Sequence, residues 1–229
     1  MAENSILIAG TIVEQQKPDG SWLRVPRITA LGAIGEQSEA KEKTVIEDTI
    51  RKYGSGLRDA PDKNLTGQYI PPQKVGDDYE LDRTLQQDFI VRARAEEEFP
   101  IRITFPDLER CQFTLKTLGY QIDDATQEDW KMFTSNGKQN SRPVWSTAPE
   151  MTAVEVTGPS SVTVGQDITL VAGTTPSDAY YVPGVTFETD DPSIATVSQA
   201  GVVTGVSAGS ANITVTLNGF DTIHAVTVS

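Results

Sequence analysis

The chain has 229 residues with 19 basic and 32 acidic side chains, one histidine and one cysteine, for a net charge of -13. That length exceeds the roughly 100–200 residues of a common domain and predicts two domains. The excess of acid argues against a surface built to hold phosphate backbones, and the lone Cys111 excludes an internal disulfide framework and fits a reducing compartment.

Met1 to Ser5 lacks a basic segment, and the apolar run Ile6 to Ala9 is shorter than the roughly 7–15 residues of a signal-peptide core. No run approaches the ~18 apolar residues of a membrane span. The sequence therefore predicts a chain neither exported by the ordinary signal nor inserted in a membrane. Trp22 to Val25 and Arg27 to Ile34 read as strands, the second ending at Gly35. Glu36 to Tyr53 reads two ways. Val45, Ile46, Ile50 and Tyr53 line a helical face, which pattern alone favours; alternatively Lys43 to Asp48 is a strand after a charged, extended arm. Asp82 to Glu98 has helical spacing, with Leu81, Leu85, Phe89 and Ala93 on one side, Asp82 as N-cap and Phe99-Pro100 as the stop. Ile101, Ile103 and Phe105, then Cys111, Phe113 and Leu115, alternate with polar neighbours as two strands joined at Pro106-Asp107. Thr134 to Pro143 and Thr147 to Glu150 read as a linker, because polar residues, Gly and Pro dominate. The boundary is placed near Pro149, giving domains 1–149, with linker from about 134, and 150–229.

Charge marks the same break. Met151 to Ser229 holds no Lys or Arg and seven acids, so all 19 basic residues lie before it. In that half, short Val-, Ile- and Thr-rich runs alternate with turn clusters, the pattern of a β-sandwich.

Little in the sequence carries catalysis. His224 has no second imidazole to work with, and Cys111 on a strand is more simply a core residue than a nucleophile. Gly54-Ser55-Gly56 lacks the Gly-Lys-Ser/Thr of a phosphate loop. Asp77-Asp78 and Asp190-Asp191 lack the spaced loop of a Ca²⁺ site and read as solvated turn acids. Nothing singles out a carboxylate pair for glycoside hydrolysis. No enzyme, metal or cofactor is expected. Tyr180-Tyr181 could stack on sugars of a host surface, a weak glycan contact, but packing on a sandwich edge is the favoured reading.

Two segments carry resemblances. Asp191-Pro192-Ser193-Ile194-Ala195-Thr196-Val197-Ser198 and Gly201-Val202-Val203-Thr204-Gly205-Val206-Ser207-Ala208-Gly209, with the closing Ile213 to Thr216 and Ala225 to Val228, resemble the group 2 bacterial Ig-like domain. Phe187 stands where that family often has Trp, and a bulky aromatic still fills the core. Gly54 to Ala60 leading into Asn64 to Tyr69, with Gln86 to Glu97 and Ile101 to Asp107 downstream, resembles the lambda-type major tail tube proteins of phages with long, non-contractile tails. That type also carries a C-terminal Ig-like domain.

The second resemblance implies a mainly β fold: a sandwich or barrel-type tail tube domain with one flanking helix, then the Ig-like sandwich. It also implies hexameric rings stacked head to tail, with tail-tip or baseplate, tape-measure and tail terminator proteins as partners. It places the protein in the virion tail after assembly in the host bacterial cytoplasm. DNA would pass without specific binding, helped by an acidic lumen. The implied lumen-facing candidates are Asn64, Thr66 and Gln68, weighed equally against an ordinary solvent-facing strand. The implied inter-subunit arm is Glu36, Gln37, Ser38, Glu39, Ala40, Lys41 and Glu42. The rival reading is a cell-surface adhesin or carbohydrate-binding module that uses the Ig-like domain.

Overall fold

Two-residue alternation and short polar turns build most of this chain, as a computed structural model shows for residues 9–42, 51, 53–59, 62–71, 80–123 and 131–229. The described residues divide into two compact units. One is built mainly before residue 147; the other gathers Thr147–Ser229, with the turn Thr104–Glu109 counted alongside it.

The first unit opens with β1 (Ile12–Gln16) and β2 (Trp22–Arg24), an antiparallel pair that sets Glu14 opposite Arg24. Their turn is held by Asp19, whose carboxylate accepts hydrogen bonds from the Ser21 amide and hydroxyl. Then come β3 (Ile28–Ala30), β4 (Gln37–Glu42), β5 (Tyr53–Asp59), β6 (Asp62–Gln68) and the helix α1 (Glu80–Arg94). After the helix follow β7 (Glu98–Thr104), β8 (Glu109–Ile122), β9 (Met132–Gln139) and β10 (Val144–Thr147). One sheet runs in the order β2-β1-β7-β8-β9-β6-β3, with β10 beside β8, while β4 and β5 form a sheet of their own.

Several expectations need correction. Residues 134–139 are not a linker but the body of β9, which is hydrogen-bonded to β6 on one side and β8 on the other. Its inward positions, Phe133, Ser135, Gly137 and Gln139, are buried. Small and uncharged side chains let a polar sequence sit inside a sheet. Only Ile28–Ala30 of the segment Arg27 to Ile34 is a strand. The part of the arm that was open between helix and extended chain is extended over Gln37–Glu42; residues 43–50, with the alternative strand Lys43 to Asp48, lie outside the described residues.

The helix is present, but its buried stripe is Arg83, Gln86, Phe89, Ile90 and Ala93, and Leu81 is exposed. Gln86 explains the displacement. Its amide donates to the Gln68 carbonyl (2.7 Å) and accepts from the Ile70 amide (2.8 Å), doing the work of a neighbouring strand where β6 ends. Asp82 is not an N-cap, since the helix begins at Glu80; it receives Arg24 and Arg27 from β2 and the segment before β3.

The helix also ends before Phe99-Pro100, which lie in β7. Glu97 N–H reaches Arg92 O and Glu96 N–H reaches Ala93 O, with Glu96 at φ +51°, a Schellman closure made without glycine. Glu96→Gly should therefore stabilise the protein by about 1 kcal/mol, the left-handed penalty less the entropy glycine brings to the unfolded chain. Urea unfolding would show it as a raised midpoint at unchanged slope; a lowered midpoint would refute it.

The second unit contains β11 (Ala153–Thr157), β12 (Ser161–Val162), β13 (Asp167–Thr169), β14 (Val171–Thr175) and β15 (Thr186–Thr189). It continues with β16 (Ala195–Val197), β17 (Val202–Gly205), β18 (Gly209–Leu217) and β19 (Phe220–Val228). They pair as β12-β19-β18-β15, β13-β17-β16 and β11-β14. Inward positions of these strands, with Leu170 between β13 and β14, form one core containing Val154, Phe187, Ala195, Val203, Ile213, Val215 and Val226. Phe187, the aromatic in place of Trp, is 3% exposed. Gly201 stands against it: its φ is +78°, and a Cβ there would lie 2.3 Å from Leu170 O. Gly201→Ala is expected to cost about 2 kcal/mol through strain and a displaced turn. A thermal melt of this variant that matches the parent would show that the turn yields freely.

Candidate functional site

The side chains of β6 split cleanly. Lys63 and Leu65 point inward and are buried, as is Gly67, while Asp62 and Asn64 are exposed and Thr66 and Gln68 half-buried. The structure thus places the three residues singled out from sequence, Asn64, Thr66 and Gln68, on one side of one strand. It also extends that side in a way the sequence did not reveal, because β9 had been read as linker. Register sets Asn64 opposite Asn136, Thr66 opposite Thr134 and Asp62 opposite Lys138. On the far side of β9, Gln121 lies opposite Thr134 and Gly119 opposite Asn136, after a register shift between Thr117 and Gly119.

The threonine hydroxyls on this face are hydrogen-bonded to their neighbours. The Thr66 and Thr134 hydroxyls lie 3.4 Å apart, the Thr29 hydroxyl donates to Thr66 O, and the Thr134 hydroxyl donates to Asp123. Lys138 forms an ion pair with Asp62, and Lys116 donates to the Glu96 carbonyl. Next to Gln68, Arg27 bridges its side-chain carbonyl and Asp82. Among the described residues this face carries two acids, Asp62 and Asp123, and two lysines, Lys116 and Lys138.

The arm candidates form strand β4, paired antiparallel with β5 from Gln37 opposite Asp59 to Glu42 opposite Tyr53, with a register shift between Ser38 and Ala40. Gly54 to Asp59, part of the segment that carries the resemblance, is the body of β5. Glu36 lies 3.7 Å from the Arg142 Nε, and Glu42 4.0 Å from that of Arg51.

In the second unit Tyr180 and Tyr181 are half-buried, not an exposed pair. Tyr181 packs on the core, the Tyr180 amide donates to Pro149 O, and burial raises the Tyr180 hydroxyl above its ordinary pKa. Asp190 ties its turn to strand β18, and Asp191 holds the local turn. Asp190 accepts from the Asn212 amide and side chain, bonds that lower its pKa, and Asp191 accepts from Ser193. Asp77-Asp78 lie outside the described residues. Among the described residues no cluster of three or more His, Cys, Asp or Glu side chains is placed to hold a metal, and no helix is long and apolar enough to cross a membrane.

The protein is thus mainly β, with one helix among the described residues, a large sheet bearing an uncovered polar face, and a sandwich after it. Residues 150–226 match the family described as bacterial Ig-like domain (group 2), so the chain carries an Ig-like domain of that group. A search of curated proteins finds no match. Similar solved structures include one from the anti-feeding prophage baseplate, at 10% identity over 60% of this chain and 94% of that chain, with a TM-score of 0.44. A second is from the tail of an empty gene transfer agent particle, at 13% identity over 60% of this chain and 96% of that one, TM-score 0.43. A third is the SPP1 tail tube, at 14% identity over 62% and 79%, TM-score 0.43. All three belong to phage tails or tail-like particles, and each is a distant likeness.

Proposed function

We propose that the chain is a non-enzymatic structural subunit of a phage tail tube, built as stacked hexameric rings that conduct DNA during ejection, with the Ig-like domain as an outward decoration. The observation that carries this reading is the pairing of a sheet whose polar face is left uncovered with a separate two-stranded arm. Among the described residues the sheet ends in the strands β2 and β3, and closure of several copies into a barrel would pair their outer edges. The β4–β5 hairpin is suited to reach a neighbouring subunit, since it pairs with itself and leaves the main sheet free. Head-to-tail stacking is a heterologous contact that does not close and therefore grows a filament. Tail-tip, tape-measure and terminator proteins would be its partners, and the tail of a virion assembled in the bacterial cytoplasm its location.

Negative-stain electron microscopy of the purified full chain tests the proposal, with tail-tip complexes added as initiators. Hollow rings or tubes with knobs on the outside are expected, and their loss when residues 37–59 are replaced by a short Gly-Ser linker. A chain that stays monomeric with initiators present refutes it.

A further inference from the structure

The charge of the chain is concentrated where nothing offsets it. Met151 to Ser229 holds seven acids and no Lys or Arg, whereas the other 25 acids stand against 19 bases. The acids are spread over all three sheets of the Ig-like unit: Glu155 on β11, Asp167 on β13, Glu188 on β15 and Asp221 on β19, each of them exposed. Their neighbours do not neutralise them. Asp167 accepts from the Thr204 hydroxyl, Asp190 from the Asn212 side chain and Asp191 from the Ser193 hydroxyl, so these carboxylates keep their charge.

The same unit leaves large apolar side chains open, and the two most exposed, Ile223 and Val171, have acids on their own faces. Asp221 lies two residues before Ile223 on the outer side of β19. Glu188 lies two strands away in the same row, since Thr214 stands opposite both Glu188 and Ile223. On the other sheet Val171 lies opposite Thr157, and Glu155 is two residues from Thr157 on the same exposed side. With strands about 4.8 Å apart, Glu188 stands about 10 Å from Ile223, within the reach of a charge in 0.1 M salt.

We propose that the Ig-like unit is an electrostatic spacer, whose carboxylates guard its exposed apolar side chains and hold off both further copies of the chain and anionic polymers. Two copies that met through Ile223 would set Glu188 and Asp221 against their counterparts, with no Lys or Arg of either unit to relieve them. A charged residue beside an apolar position on a strand acts in this way against association. An anionic polymer of a cell envelope meets the same barrier. The spacing is a property of the unit itself. Its use, keeping crowded copies and neighbouring tubes apart, rests on the tail-tube reading.

Two triple variants of the full chain test the placement of the charges. Glu155→Gln, Glu188→Gln and Asp221→Asn remove the acids beside Val171 and Ile223, whereas Glu96→Gln, Glu98→Gln and Glu109→Gln remove three exposed acids from the first unit. In sedimentation velocity of unassembled chains at low salt, the first variant is expected to self-associate about tenfold more tightly than the parent, and the second to match the parent. Adding Val171→Ser and Ile223→Ser to the first variant should restore the parent's behaviour, a rescue that a misfolded chain would not show. A first variant that stays as monodisperse as the parent overturns the inference, and so does association that survives the added serines. Equal association of both triple variants overturns it as well, because total charge and not placement would then decide. Tubes of the first variant should bundle side by side under the electron microscope where parent tubes stay single, and single tubes from both would refute the role in the assembly. If the parent forms no tubes even with tail-tip complexes, the tail-tube reading falls, while sedimentation still decides the spacing.

Discussion

Arg102→Ala is expected to destabilise the first unit by on the order of 3–5 kcal/mol, the cost of leaving one charge of a sequestered pair alone. Arg102 projects from β7 and is 7% exposed. Its Nε and Nη2 donate to both oxygens of Glu14 on β1, at 2.6 and 2.8 Å, and its guanidinium lies over the Trp22 ring of β2, 4.4 Å from the ring centre. One side chain thus ties three consecutive strands by a two-pronged ion pair and a stacked ring. Lysine cannot reproduce either contact, so Arg102→Lys should recover only a minor part. Removing both partners, as Glu14→Leu with Arg102→Met, should recover most of the loss, because no charge is then left alone. Guanidinium unfolding of the three variants checks this. A double variant as unstable as Arg102→Ala would show that the ion pair itself, and not the orphaned carboxylate, carries the effect.

Lys63 behaves in the opposite sense. It is fully buried on β6, its ammonium has one long hydrogen bond to Gly32 O (3.4 Å), and it sits 5.4 Å from the centre of the Phe113 ring. No carboxylate pairs with it among the described residues. Burial pushes its pKa down from 10.5 to about 8, with Cys111 opposing. Below about pH 8 the ammonium is charged in both states and its burial penalty is fully present. Between there and 10.5 the unfolded chain binds more protons, so stability rises with pH until both forms are neutral. Lys63→Met keeps the length of the side chain and removes the charge. Its expected gain is about 3 kcal/mol at pH 7, from a shift worth roughly 1.4 kcal/mol per unit, and it fades to nothing above pH 10.5. Urea midpoints of parent and variant from pH 7 to 11 test it. An advantage that is constant across that range would assign the effect to packing and not to the buried ammonium.

Alternation of apolar side chains makes some elements visible in the sequence. Ile101 and Ile103 of β7, and Cys111, Phe113 and Leu115 of β8, are buried at the positions that alternation assigned, and the Val, Ile and Thr pattern of the second unit likewise yields strands and a single core. What stayed hidden was buried polarity. Lys63, Gln86, Ser135 and Gln139 occupy inward positions that a hydrophobic pattern cannot mark. Gln86 is inward because two backbone groups need its amide, a demand created only once β6 has ended beside the helix. At Gly137 there is no room for more, because a Cβ would lie 2.8 Å from Lys116 O and 2.9 Å from the Leu115 side chain. Misreading β9 concealed half of the polar face. The half on β6 was legible, since Asn64, Thr66 and Gln68 alternate with Leu65 and Gly67, but its neighbours Thr134 and Asn136 were not.

The uneven placement of basic residues turns trypsin into a one-sided clock. Cleavage requires Lys or Arg, so the protease has no purchase from Met151 to Ser229, folded or unfolded. Arg142 precedes Pro143, a bond it cuts poorly, which leaves Lys138 as the last efficient site. That site lies inside β9, hydrogen-bonded between two strands. A fragment beginning at Gln139 can therefore accumulate only as fast as this inner strand of the first unit comes free, and its rate of appearance times that opening without interference from the domain attached to it.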